Sequence, residues 1–575
     1  MNNQKRKETW TSQTGVILAV TGSAVGLANF LRFPGQAAQF GGGAFMIAYF
    51  ISLILLALPI AWAEWTMGRM GGQRGFSSCP GILNSICNHP SVKYLGILGV
   101  LIPLSIYMFY SYVEAWCLGY AVNFATNNIH FSSINESSSF WAKFIGAGQD
   151  GEAIGFGVKE VGVYLAIATL INFTLVYRGI SKGIEKFVRY AVPTLILIAI
   201  IVLIRVLTLG TPDATKPEQN VINGLGFMWN PTKTYFEEWN SKESKWQRVI
   251  EVMGPINTAE YQKRVTENPE NYQIKRITII EQLRSPKLWL AAAGQVFFSL
   301  SVGLGIIITY ASYMKKNDDV ILSSLCAVSA NEFTEIGLGG LIGLPAAFAF
   351  LGAAGIAGQT TFGLGFKALP MVFSSMEFGN IFGALFFFLL FLAAINGSIS
   401  CLQPSIAFFE ETLHIGRKSS VSLVGMIATL GVGFVFYFSK DAMALEALNF
   451  WAGTFLVFVI ATIQIIVFSW IIGIEEGFKE AHRGAAVKIP HIFKLITKYI
   501  CPIFLLTIFS LWILCDVIGI GGQGIDSHIT DLIGSADKKP NIVAWASIAI
   551  IFMLFIFMSL IVSRAPSYKT SKKEL

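Results

Sequence analysis

Residues 19–36 read AVTGSAVGLANFLRFPGQ, an otherwise apolar stretch that carries three glycines and a polar cluster where a membrane-crossing helix should run unbroken. Backbone at bilayer depth leaves the helical hydrogen-bond ladder only where it lines a cavity or is buried in protein, because each unsatisfied N–H or C=O costs several kcal/mol. The stretch therefore predicts a helix broken near the membrane midplane, with a binding site at the break.

The chain around it has membrane composition. Of its 575 residues, 54% are hydrophobic and 13% charged, with a mean hydropathy of +0.59, too apolar for a soluble protein of this size. Scanning for apolar stretches of about 20 residues yields twelve candidate spans, near 12–37, 43–66, 95–120, 160–178, 188–208, 288–313, 320–351, 378–407, 420–438, 447–473, 496–516 and 541–563. A second interruption, GQVFFSLSVGLG at 294–305, lies at the start of the sixth span. If spans one to five and six to ten are two halves, the broken segments fall at matching positions. That is the inverted-repeat signature of a secondary transporter, whose substrate and coupling ions bind between two discontinuous helices. The expected fold is an all-α polytopic membrane protein of twelve transmembrane helices, a 5+5 inverted repeat with helices 1 and 6 broken.

Basic residues set the orientation. Lys5 to Lys7, Arg69 and Arg74, Arg178 to Arg189, Lys315 and Lys316, Arg417 and Lys418, Arg483 to Lys498 and Lys569 to Lys573 occupy one alternating set of loops, which places both termini in the cytoplasm. The net charge of +7 is then a topology signal and not a nucleic-acid surface. The charged start leads into a long helix containing Asn29 and Arg32 with no small-residue cleavage pattern, so no cleavable signal is expected. Five cysteines lie in apolar spans; Cys79, Cys87 and His89 have metal-ligand chemistry, but no second ligand pair of zinc-site spacing follows. Segment 209–286, rich in both charge signs, is expected to fold as a helical hairpin over the extracellular face, and 352–374 as a re-entrant loop capping a vestibule. Glu64 and Glu114 lie inside spans, where an acid is either proton-active or paired with its neighbours. No phosphate-binding loop, nucleophilic triad or paired-carboxylate site stands out, so the chain is not expected to be an enzyme or an ATP-driven pump.

The run Gly22-Ser23-Ala24-Val25-Gly26-Leu27-Ala28-Asn29-Phe30-Leu31-Arg32-Phe33-Pro34, with Asn331-Glu332 in span seven and Phe450-Trp451-Ala452-Gly453-Thr454 in span ten, resembles the neurotransmitter:sodium symporter family, nearest its bacterial leucine-transporting members. The similarity runs from about residue 7 to 510 with an insertion at 231–280. It implies sodium-coupled amino-acid uptake by alternating access in the plasma (bacterial inner) membrane. It also implies an organisation into a cytoplasmic tail with the inner gate (1–11), a first repeat (12–208), an extracellular loop with insertion (209–286), a second repeat (287–475), two further spans (476–563) and a cytoplasmic tail (564–575).

A zwitterionic substrate needs both charges satisfied in a buried site. A half-helix beginning near Leu27 offers free N–H groups and a positive dipole end to a carboxylate. By resemblance, the Leu27 and Ala28 amides and the Tyr110 hydroxyl hold the carboxylate, while the ammonium faces the Ala24, Phe298 and Ser299 carbonyls and the Ser301 hydroxyl. Monoamine-carrying relatives have an aspartate where this chain has Gly26, so the substrate is expected to bring its own carboxylate. Ile106, Phe298, Leu304, Gly397 and Cys401 bound the rest of the pocket; Leu304 and Cys401 leave room for a neutral hydrophobic or aromatic side chain. Ala28, where relatives usually have glycine, adds a methyl group beside the carboxylate.

The resemblance assigns a first sodium to the Ala24 carbonyl, Asn29, Ser299, Asn331 and the substrate carboxylate. A second would use the Gly22, Val25 and Ala393 carbonyls with Asn396 and Gly397, which stand where relatives carry two hydroxyls. One or two sodium ions are thus expected. Glu335, near Tyr49, Gln295, Ser299 and Asn331, stands where chloride-independent relatives carry a glutamate, so no chloride requirement is expected, and proton counter-movement through Glu335 is a possibility. The outer gate is Arg32, whose usual acidic partner is Asn449 here, with Glu446 one turn away as a substitute. At the inner gate Lys7 and Glu411 match an arginine–aspartate pair, with Trp10 and Tyr313 nearby. The expected partners are the amino acid, sodium and the lipid bilayer, with no nucleic acid and no indication of oligomeric state. Because Gly397 and Asn449 depart from the pattern, an amino-acid-sensing receptor on a transporter scaffold is the alternative, and an amino-acid-gated channel a third reading.

Overall fold

The computed structural model describes Trp10 and residues 13–87, 89–155, 160–240, 245–252, 255–357, 359–520, 525–535 and 539–568. Runs of Leu, Ile, Val, Phe and Ala with few charges fold as helices, the structure that satisfies every backbone group within one segment. The principal helices are α1 (Gly15–Gln39), α2 (Gly43–Gln73), α3 (Val92–Ala125), α4 (Val161–Tyr177), α5 (Ile180–Leu207), α6 (Pro286–Ser299), α7 (Ile306–Ala311), α8 (Val320–Ala353), α9 (Gly379–Leu413), α10 (Arg417–Tyr437), α11 (Lys440–Ile471), α12 (Ile492–Val517) and α13 (Ile542–Arg564). Among the described residues, ten helices are long and apolar enough to cross a membrane; α4 is apolar but shorter, and the sixth apolar segment is divided between α6 and α7.

Burial separates the inner helices from the outer ones. The most apolar window of α1 is 83% buried and that of α13 only 22%, so α1 lies at the centre and α13 shows most of its apolar surface outward, as a lipid-facing helix does. The α3–α9 pairing is the most extensive in the molecule, and its seam is aromatic. Tyr120 and Phe387 lie 4.8 Å apart between ring centroids, and Phe124 stacks on Phe387 at 5.7 Å. Such pairs add roughly 0.5–1.5 kcal/mol each beyond their burial. This seam fixes the two helices that present Tyr110 and Cys401.

Segment 209–286 is not a helical hairpin. Its centre is a three-stranded antiparallel sheet in the order β2-β1-β3, built from β1 (Lys233–Asn240), β2 (Lys245–Glu251) and β3 (Tyr272–Ile277), with a helix over Pro255–Glu267 between β2 and β3. The stretch KTYFEEWN is rich in the β-branched and aromatic residues that suit a pleated, half-buried surface. Trp239 pairs with Trp246 across the strands, their rings 5.4 Å apart. Segment 352–374 contributes short helices over Thr361–Gly363, Leu364–Ala368 and Leu369–Ser375, and Thr360, Thr361 and Phe362 line a cavity beside α1.

Candidate functional site

Helix α1 breaks at Val25 and Gly26, resumes in a wide π-type turn over Ala28–Arg32 and continues as α-helix over Phe33–Gln39. At the break the Gly26 N–H donates to Asn29 Oδ1 at 2.8 Å, and the Leu27 N–H donates to the Tyr110 hydroxyl oxygen at 3.1 Å. A Cβ at Gly26 would stand 3.2 Å from the Tyr110 hydroxyl and 4.0 Å from the Ala24 and Ala393 carbonyl oxygens. Gly26 therefore faces polar atoms of α1, α3 and α9 at close range, where a side chain would crowd the Tyr110 hydroxyl.

The second break runs from Leu300 to Gly305, between α6 and α7. Ser301, Gly303 and Gly305 all have positive φ, and a Cβ on Gly305 would lie 2.0 Å from the Gly99 carbonyl oxygen. Only glycine lets this bend rest directly on α3. Ser301 Oγ donates to the Ser23 carbonyl at 3.2 Å, which ties the two breaks together, and the Gly303 N–H donates to Glu64 Oε2 at 3.3 Å. Glu64 thus serves the broken backbone. Glu114 accepts hydrogen bonds from Asn172 and Ser398, at 2.9 and 2.5 Å.

A buried polar cluster surrounds the first break. Asn29 Nδ2 donates to Asn331 Oδ1 at 2.8 Å, and Asn331 Nδ2 donates to Ser299 Oγ at 3.3 Å. The side chains expected to bind the first sodium are therefore together. Glu335, on a π-type stretch of α8, is fully buried and accepts from Gln295, Asn331 and Asn29 at 2.6, 3.1 and 3.3 Å. Tyr49 reaches the same cluster, but the hydrogen bond made by its hydroxyl goes to Glu332 Oε2, at 2.9 Å. Glu332 is a member that the sequence reading quoted without a role; it follows Asn331 in the chain, and Asn331 Nδ2 bonds its Oε1 at 3.3 Å.

On the opposite side, Asn396 is 1% exposed and neither side-chain amide atom has a hydrogen-bond partner. A buried amide without partners costs about 1–3 kcal/mol, so it sits where a cation could use its oxygen. Gly397 has a steric reason: a Cβ there would lie 2.7 Å from the Tyr110 hydroxyl and 3.0 Å from its ring. Gly22 packs α1 against α5, where a Cβ would meet Val188 at 2.6 Å, and α1 also packs on α9, which carries Ala393.

Ile106, Leu304 and Cys401 are buried and Phe298 is partly buried. A wall that the sequence reading missed is Gly453: a Cβ there would be 3.5 Å from Phe298, 3.9 Å from Ile106 and 3.4 Å from Asn449 Oδ1. Its signal was present, since it belongs to the Phe450–Thr454 motif. Leu27, Ala28, Tyr110 and Phe298 line the floor of a cavity of about 740 Å³ whose upper walls include Glu446, Asn449, Trp512, Asp516 and Asp531. The Arg32 guanidinium lies 4.6 Å above the Phe298 ring. Glu446 lines this cavity with Asn449 and Arg32 and feels the charge of Arg32.

At the other end Trp10 is buried, its Nε1–H donating to the Tyr310 carbonyl at 3.1 Å and its ring set edge-on to Tyr310 at 5.5 Å. Trp10 thus meets Tyr310, while Tyr313, named by the sequence, accepts from Gln403 Nε2 at 3.0 Å. Lys7 lies outside the described residues. Glu411 is held by Ser77, Ser78 and Tyr568. Burial pushes the Cys87 thiol up to about 11 and raises Cys79 also, which disfavours the thiolate a metal would need. Among the described residues no three His, Cys, Asp or Glu side chains gather to hold a metal.

A model of the sodium:neurotransmitter symporter family matches residues 7–142 and 273–517. The interval between the two stretches contains β1, β2 and the beginning of β3. A sodium-dependent transporter of Methanocaldococcus jannaschii is 25% identical over 525 residues, covering 87% of this chain and 89% of its own. The sodium-dependent serotonin transporter of Drosophila melanogaster is 23% identical over 550 residues, covering 88% of this chain and 76% of its own. The crystal structure of MhsT in complex with L-phenylalanine matches with a TM-score of 0.68 at 25% identity, covering 88% of this chain and 99% of that one.

Proposed function

Because the chain belongs to the sodium:neurotransmitter symporter family, we propose that it imports a neutral, hydrophobic or aromatic L-amino acid by sodium-coupled, chloride-independent alternating access. The architecture proposed with it is twelve spans in a 5+5 inverted repeat, in a bacterial plasma membrane, with both termini cytoplasmic. The observation that carries the substrate class is the surround of Gly26, where the three atoms nearest a Cβ are the Tyr110 hydroxyl and the Ala24 and Ala393 carbonyl oxygens, none of them a carboxylate, beside the Leu27 N–H.

In this reading the substrate carboxylate is held by the Leu27 and Ala28 amides and the Tyr110 hydroxyl, where the half-helix dipole favours a negative charge. The ammonium is received by the carbonyls of Ala24, Phe298 and Ser299 and by Ser301, and the side chain by Ile106, Phe298, Leu304, Cys401 and Gly453. An aromatic side chain is supported by the ligand of MhsT, L-phenylalanine. A bound sodium at Ala24, Asn29, Ser299 and Asn331 shares the carboxylate with the substrate, so each favours binding of the other. A second ion at Gly22, Val25, Ala393 and Asn396 is supported by the unpartnered Asn396 amide, with Gly397 supplying backbone alone. Glu335 would stand in for chloride, held by its three amide donors.

Arg32, Phe298, Asn449 and Glu446 form the proposed outer gate, and Trp10, Tyr310, Tyr313, Glu411 and Lys7 the inner one. The receptor reading drew on Gly397 and Asn449. Tyr110 fills the space beside Gly397, and Glu446 lies within reach of the Arg32 charge, which supports the transporter reading over the receptor. Uptake in proteoliposomes decides the matter. An inward sodium gradient should drive accumulation of an apolar or aromatic amino acid, and replacing chloride by gluconate should leave it intact. Saturable sodium-dependent binding without accumulation would favour the receptor.

A further inference from the structure

The polar segment between α11 and α12 is tied to three other elements. Its short helix Ile474–Ala481 leads into a loop where Gly484 takes a left-handed φ of 74°, and a Cβ on Gly484 would lie 2.2 Å from the Asn317 carbonyl oxygen, in the turn between α7 and α8. Asp319, the N-cap of α8, accepts from the Leu322 N–H with one carboxylate oxygen and from the Ala486 N–H with the other, at 2.8 and 2.7 Å. Arg69, near the end of α2 and with no exposed side-chain surface, donates to the Asp318 and Arg483 carbonyls at 2.6 and 2.9 Å, to the Glu480 carbonyl, and to the Glu480 carboxylate at 3.2 Å. The loop thus clamps the end of α2 to the start of α8, the helix that carries Asn331 and Glu335.

One hydrogen bond closes this loop on itself. The Ile489 N–H donates to His482 Nε2 at 2.9 Å, which requires a neutral imidazole with its proton on Nδ1. Ile489 is buried, and the His482 ring stacks on Phe478 at 6.0 Å. Burial holds His482 below its ordinary 6.5, and the positive charges of Lys488, Lys494 and His491 act in the same direction. The acids of the short helix are engaged elsewhere: Glu475 pairs with Lys494 at 2.5 Å, Glu476 with Lys479 at 3.4 Å and Glu480 with Arg483 at 3.0 Å. The bond therefore stands at neutral pH and is lost as pH falls through the lowered value. Once both ring nitrogens carry protons the ring can only donate, and the Ile489 N–H loses its acceptor.

We propose that loop 482–489 is a proton-sensitive clamp on the cytoplasmic side, closed while His482 is neutral and released when it is protonated, so that an acid cytoplasm frees the ends of α2 and α7 and favours the inward-open state. The proposal rests on the alternating-access reading and its cytoplasmic placement of these loops. His482 is a positioning residue in this scheme: it acts through the loop on Arg69, Asn317 and Asp319 and touches no substrate.

The test is hydrogen exchange on the full chain in nanodiscs with sodium, at about pH 7.5 and about pH 5, comparing the unmodified protein with His482→Gln and His482→Lys. The glutamine amide oxygen accepts from Ile489 at either pH, whereas a lysine ammonium accepts at neither. Comparison within one pH cancels the pH dependence of intrinsic exchange. Loss of one hydrogen bond should speed exchange about two- to tenfold. The expected result is exchange in 484–489, 69–73 and 312–319 that matches the glutamine variant at the higher pH and the lysine variant at the lower, with 98–125 unchanged throughout. An unmodified protein that tracks the glutamine variant at both values would overturn the clamp, and this comparison decides even where the lysine variant does not fold. An acid-induced increase of equal size in the glutamine variant would also overturn it, since another group would then be titrating. An increase confined to 484–489 would overturn the link to the gate. Failure of the transport reading shows separately, as absence of sodium-dependent uptake by the unmodified chain at either pH.

Discussion

Replacing Gly26 by aspartate tests the assignment of the substrate carboxylate to the broken α1. A Cβ at this position stands 3.2 Å from the Tyr110 hydroxyl and 4.0 Å from the Ala24 and Ala393 oxygens, so the new carboxylate would enter the space proposed for the substrate's own. Two like charges about 4 Å apart at an effective dielectric of about 20 repel by about 4 kcal/mol. That corresponds to roughly a thousandfold loss of affinity for an amino acid. The methyl of Gly26→Ala separates sterics from charge. It asks the Tyr110 hydroxyl to yield by a few tenths of an ångström and should cost less than about tenfold. Equilibrium binding of radiolabelled L-phenylalanine and of phenethylamine, which lacks the carboxylate, reads both effects. Gly26→Asp should lose the amino acid and gain the amine. Amino-acid affinity within about tenfold of the unmodified protein would refute the assignment.

Glu335→Ser should convert chloride-independent uptake into chloride-dependent uptake, since it removes the charge that Gln295, Asn331 and Asn29 hold; gluconate replacement of chloride checks it. Asn396→Ala should lower the steepness of the sodium dependence toward a single ion, read from initial uptake rates across a sodium series. Gly305→Ala should lower the melting temperature in detergent and abolish sodium-dependent binding. Its left-handed backbone alone costs a non-glycine residue roughly 1–2 kcal/mol, and its Cβ would overlap the Gly99 oxygen at 2.0 Å. Ala28→Gly should tighten amino-acid binding if the extra methyl crowds the carboxylate, and equal affinity would show that it does not.

The broken helices were legible because two interruptions, each joining glycine to polar residues, fall at matching positions of the two halves, which close helix packing alone does not explain. Val25–Gly26 and the bend ending at Gly305 lie within the segments that AVTGSAVGLANFLRFPGQ and GQVFFSLSVGLG mark. Contacts made across sequence-distant helices were less legible. Tyr310 and Tyr313 are three residues apart and both face α9, so sequence offered no reason to seat Trp10 on Tyr310. Tyr568 lies in a short tail beyond the last apolar run, where no periodic pattern announces a buried phenol. The sheet was missed because the many charges of TKTYFEEWNSKESKWQRVIEV hide its aromatic and β-branched positions, and no Asn-Gly or Asp-Gly turn announces a hairpin.

The most direct measurement of the central claim is accumulation of amino acids from a mixed pool by the purified protein in proteoliposomes, under an inward sodium gradient, with the retained species identified by mass. Selective accumulation of apolar or aromatic amino acids that vanishes when sodium is replaced is the result expected. Sodium-dependent binding with no accumulation, or accumulation indifferent to sodium, would contradict it.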